Sequence, residues 1–229
     1  MAFAVGALSG REDSAPKLSW KRALIEIIVA YGLILAVLWS PRPWQRYLWW
    51  VAVLSVLAIL CTSFQGFNAA GMRAANFLRS LWVVGVALLL SAAAVAVAIR
   101  LHTLRWPGSV LMFIGSYVAY AVWSGVQQFL LQCFFLWRML RLLPTRGQAA
   151  IAAAGLFTLA HLPNPILTTV TAIWGTIACL VFLRYRNLWT LAMAHAILGI
   201  TIAMTVPGPV VHNMRVGLGY LKYHRPHSR

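Results

Sequence analysis

The chain is written mostly in apolar runs about as long as a lipid bilayer is thick. A helix needs roughly 20 consecutive apolar residues to cross the hydrocarbon core, and such runs recur along almost all of the 229 residues. Hydrophobic residues make up 62% of the sequence and charged residues 10%, too few to clothe a water-soluble core. The predicted fold class is all-α: a polytopic membrane helix bundle of about seven to eight embedded segments. We expect a polar N-terminal tail over 1–22, one bundle over 23–206 and a basic, solvated C-terminal tail over 207–229.

The net charge of +16 comes from 19 Lys and Arg against three acids, Glu12, Asp13 and Glu26. The cations stand in small groups between apolar runs and form no basic face of the nucleic-acid-binding kind. Cationic flanks of this sort meet lipid headgroups and help to set topology. Membrane lipids are therefore the expected partner, and nucleic acid is not. Cys61, Cys133 and Cys179 all fall within apolar runs and read as small core residues.

Spans are predicted over Ala23 to Trp39, Tyr47 to Ser63, Leu81 to Ile99, Ile166 to Leu183 and Leu188 to Val206, with a shorter helix over Gln148 to His161. Phe64 to Arg79 reads as a loop or interfacial helix. The run from Val110 to Leu143 is too long for one simple crossing, and Ser124-Gly125 is the expected break. Splitting it in two brings the C-terminus back to the side of the N-terminus, and eight embedded segments is the preferred count.

Three stretches put polar groups where hydrocarbon is expected: Gln127-Gln128-x-x-x-Gln132, Phe157-x-x-x-His161 and His195-x-x-x-Gly199. Polar side chains are costly in lipid and usually face a cavity or a partner. Read from the residues, the glutamines and histidines form either a polar pocket or a helix–helix network. Two histidines on separate helices can also ligate haem or a pigment axially. Cys133 and Ser124 have no base partner at a recognisable spacing for nucleophilic catalysis. No internal repeat points to a transporter.

The order and spacing of the stretches resemble the CAAX-protease and bacteriocin-processing (CPBP, or abortive-infection) family of intramembrane proteases. That family carries Glu-Glu-x-x-x-Arg, then Phe-x-x-x-His, then His-x-x-x-Asn. The matching positions here are Gln127, Gln128 and Gln132, then Phe157 and His161, then His195 and Gly199. The resemblance implies the family's helical fold, these seven positions as the catalytic set, a membrane-anchored or prenylated peptide as substrate or partner, and an integral membrane location, the bacterial inner membrane. It also brings in zinc, with His161 and His195 as ligands, although two histidines make a weak site and no cofactor is certain.

Both glutamates, the arginine and the asparagine of the pattern are replaced. A glutamine can hydrogen-bond water but cannot take its proton at neutral pH. The sequence therefore predicts a homologue that lacks its base and holds a peptide or lipid-linked partner. The competing reading is an active protease whose base is Glu26, the lone acid in an apolar run. Glu26 reads otherwise as the i+4 ion-pair partner of Arg22.

Overall fold

The computed structural model describes residues 19–64, 66–106 and 108–223. Glu12, Asp13 and most of the expected N-terminal tail lie outside them, as do His224, Arg225, His227 and Arg229. The described residues are helical, with no strand among them. The main helices are α1 (Trp20–Trp39), α2 (Arg42–Ser63), the single turn α3 (Phe77–Ser80), α4 (Trp82–Arg100), α5 (Val110–Leu142), α6 (Arg146–Leu159), α7 (Pro165–Tyr185) and α8 (Leu188–Thr205).

Among the described residues, six helices are long and apolar enough to cross a membrane: α1, α2, α3 with α4, α5, α7 and α8. The protein is an integral membrane protein with an all-helical bundle. The 14-residue α6, about 21 Å long at 1.5 Å per residue, is too short to cross the roughly 30 Å hydrocarbon core by itself and packs along α7. Its sequence explains the close packing: Ala149, Ala150, Ala153 and Ala154 form a buried small-residue face, which lets helix backbones approach in a medium without hydrophobic drive. Large apolar side chains instead cover the outside. On α2 only Ala52 is buried, while Trp49, Trp50, Leu54 and Leu57 face outward. Cys61 is exposed on this outer helix, so the expectation that all three cysteines are core residues fails there.

The run from 110 to 142 is one helix without a break at Ser124-Gly125. Ser124 is accommodated in the helix with its hydroxyl donating to the Tyr120 carbonyl one turn back, and a glycine inside a helix costs only about 1 kcal/mol. The irregularity comes later, as a π-helical turn over Leu130–Leu136, a feature that often marks functional sites. With α5 unsplit, the described residues hold six helices of spanning length and the shorter α6, rather than eight embedded segments.

Two buried asparagines organise the turns. Asn164 caps α7 by accepting from the Leu167 amide, and its own amide donates to the carbonyls of Val211 and Arg215. Asn187 does the same for α8, capping Thr190 and donating to the carbonyls of Arg73 and Ala75. The Asn164 clamp folds residues 207–223 back onto the bundle, so this part of the expected solvated tail is packed. Gly217 sits there with φ +55, where a Cβ would lie 2.3 Å from the Leu38 carbonyl oxygen; only glycine fits.

The contacts also sort the cations. Arg22 reaches Thr62 and, through Glu26, the end of α5. Asn76 reaches the end of α7 and Asn187 the segment before α3. One face therefore carries Lys21, Arg22, Arg73, Arg79, Arg141, Arg146, Arg184 and Arg186, while Arg42, Arg46, Arg100, Arg105, Arg215 and Lys222 belong to the other.

Candidate active site

The helices α1, α5, α6, α7 and α8 enclose a cavity of about 260 Å3, closed at one end by Met214 and Val216 of the folded-back segment. Most of its wall is apolar, including Ile34, Trp123, Leu131 and Phe135. Gln127, Phe157, His161, His195 and Gly199 all line it, so five of the seven motif positions meet at one void. Gln128 and Gln132 stand behind the wall, 0% and 1% exposed.

The three glutamines do different jobs. Gln132 Nε2 donates to Gln128 Oε1 (3.2 Å), and Gln128 Nε2 lies 3.0 Å from His195 Nδ1. With the amides assigned in this orientation, Gln128 donates and His195 Nδ1 accepts, so the His195 proton is on Nε2. This is a buried amide chain ending on an imidazole. Gln127 lies on the cavity wall with no part in the chain. The polar pocket and the helix–helix network therefore coexist, divided between adjacent residues of α5.

His161 Nδ1 donates to the Phe157 carbonyl one turn back (2.7 Å), which leaves the lone pair on Nε2. The Phe157 ring packs edge-on against both imidazoles, at 4.8 Å from His161 and 5.9 Å from His195 between ring centres. Phe157 thus sets the relative positions of the two histidines. Each histidine has one ring nitrogen already engaged. No group of three or more His, Cys, Asp or Glu among the described residues can hold a metal ion. The donor set does not fit zinc, which takes three or four protein ligands.

Glu26 is fully committed elsewhere. Arg22 Nε donates to Oε1 (2.7 Å) and Arg138 Nε to Oε2 (2.8 Å). Arg138 is 1% exposed and also donates to the Phe134 carbonyl and the Ser63 hydroxyl. Its guanidinium lies 3.6 Å from the Phe134 ring centre. Glu26 does not line the cavity, so the i+4 pairing with Arg22 was a correct reading, and the deeper partner was not visible. Ser124 donates within its own helix, and Cys133 Sγ meets the Ala70 carbonyl outside the cavity.

The departure at Gly199 has a steric counterpart. A Cβ at Gly199 would lie 1.9 Å from the Tyr120 hydroxyl oxygen, so the tyrosine fills the space where the family's asparagine side chain would begin. Tyr120 was not legible as a site residue, and neither were Tyr31, whose hydroxyl bridges α1 to the Leu156 carbonyl (2.9 Å), and Trp174, whose Nε1 is buried without a partner. Gly199→Asn is expected to push Tyr120 aside and lower stability by about 1–3 kcal/mol, the usual cost of overpacking. Adding Tyr120→Ala should recover most of the loss. Thermal unfolding of the two variants checks this; an unchanged melting temperature for Gly199→Asn alone would show that Tyr120 yields freely.

Residues 125–201 match the family model for type II CAAX prenyl endopeptidase Rce1-like proteins. The match runs from the last turns of α5 into α8 and includes all seven motif positions. It bears out the resemblance read from their spacing. No curated protein and no solved structure gives a significant match.

Proposed function

We propose that the protein is a base-less relative of the CAAX-type intramembrane proteases, which holds a membrane-anchored or prenylated peptide, or a lipid-linked partner, without cutting it. The observation that carries this reading is the buried amide chain from Gln132 through Gln128 to His195 Nδ1. In a working site a carboxylate would meet that imidazole and help to draw a proton from water. Here a neutral donor meets it, and Glu26 is held by two arginines outside the cavity. The apolar wall suits a lipid group or an apolar side chain. The unpartnered Trp174 Nε1 and the His195 Nε2–H are donors for a peptide carbonyl. The membrane in question is the bacterial inner membrane.

The test uses the full chain in proteoliposomes with a farnesylated peptide bearing a photo-crosslinker. Crosslinking to α5 or α8 with the peptide recovered intact is the expected result, and Phe157→Ala should reduce it several-fold. Cleavage by the wild type that survives Gln127→Ala and Glu26→Ala but not His161→Ala would overturn the base-less reading.

A further inference from the structure

On the arginine-rich face, well away from the central cavity, a second void of about 360 Å3 opens between the end of α5, the start of α6 and the end of α7. We propose that this cleft binds the phosphate headgroup of an anionic phospholipid, with the first part of the acyl chains against its apolar side. Its lining divides into two chemistries. Arg141, Arg146 and Arg186 supply cations, while Trp137, Leu140 and Leu183 supply an apolar wall.

The cations have no counter-ion in the described structure. Glu26 is the sole acid among the described residues, and Arg22 and Arg138 hold it. Arg186 is partly buried against the Phe182 ring, and Arg73 lies close enough to act on it electrostatically, as does Arg146. Burial first, then these two like charges, push the Arg186 guanidinium below its ordinary value. The Arg73 Nε is itself buried with no hydrogen-bond partner. Like charges gathered at a partly buried spot repel strongly unless an anion joins them. The cleft puts three arginines beside apolar side chains, and Arg146 and Arg73 both act on Arg186 as like charges, so an anion with an apolar part fits it. Basic pockets between spanning helices are suited to anionic headgroups.

The test is lipid titration of the full chain in nanodiscs, read by native mass spectrometry. Cardiolipin in a phosphatidylcholine background is the probe, and inorganic phosphate is the competitor. The wild type should retain cardiolipin over phosphatidylcholine. Arg146→Gln and Arg141→Gln should each weaken retention about fivefold, the worth of one basic residue at an anionic surface. Both positions are exposed, so folding is spared. Arg184→Gln, on the same face but beside Tyr185 and outside the cleft, should change nothing. Three results overturn the proposal: no preference for cardiolipin, an equal loss with Arg184→Gln, which would mean diffuse surface charge, or displacement of the lipid by phosphate alone, which would mean a free-anion site. None of them bears on the central cavity, so this site and the proposed function stand or fall separately.

Discussion

Restoring glutamate at both Gln127 and Gln128 is expected to raise peptide hydrolysis well above that of the wild type. The changes are nearly isosteric, and each acts on a different part of the site. At position 128 a carboxylate would replace the amide 3.0 Å from His195 Nδ1. It can still accept from Gln132 Nε2, and it now accepts from the imidazole. The His195 proton then moves to Nδ1, and a lone pair faces the cavity from Nε2. At position 127 a carboxylate would enter the cavity wall itself, where it can take a proton from water between the two histidines. General-base assistance is worth about 100- to 10,000-fold, so the double variant should cleave a membrane-anchored peptide that far above the wild-type background. Gln128→Glu alone should give less, because it resets the tautomer without supplying the base. The assay compares wild type, each single variant and the double in proteoliposomes. A wild type that cleaves as fast as the double variant would end the base-less reading. Silence from both leaves the reading resting on peptide capture.

How much of this was legible depends on whether a feature is carried by chain-local chemistry. The apolar runs were, because the length of a bilayer imposes itself on every span, and α1, α7 and α8 fall within a few residues of their predicted bounds. The break in α5 was misplaced because Ser and Gly were read as breakers. A serine in a helix can return its hydroxyl to the i−4 carbonyl, as Ser124 does. The three polar stretches were legible as a set since lipid penalises each of them. The division of labour between Gln127 and Gln128 was not. Adjacent helical residues point about 100° apart, and only the placement of α8 decides which one meets His195. Gly199 shows the same limit in another form. Its loss of a side chain was plain, but the Tyr120 hydroxyl that fills the space comes from a helix 79 positions earlier in the chain. The fold-back of 207–223 gave no signal either, because it is fixed by one asparagine at position 164 rather than by periodicity of its own.

Glu26 separates structure from chemistry most sharply, and its removal should be felt as lost stability. Arg138 is 1% exposed and has both Nε and Nη2 within 2.8 Å of Glu26 Oε2. Truncating one partner of such a buried pair strands the other charge, at a cost of about 3–5 kcal/mol. Glu26→Ala should therefore unfold far more readily than wild type in detergent, by thermal or denaturant titration. Arg22 is 43% exposed at its side chain, so Arg22→Ala should cost no more than about 1 kcal/mol. Replacing both members, with Glu26→Gln and Arg138→Met, removes the stranded charge. That pair should recover most of the stability, since a buried ion pair is often no better than a well-packed neutral one. The double-mutant cycle then yields a large coupling energy. If Glu26→Ala is as stable as wild type, the cluster is not the clamp between α1 and α5 that its geometry describes. If instead Glu26→Gln leaves stability intact and abolishes a wild-type cleavage activity, the carboxylate is working as a base despite its two arginines.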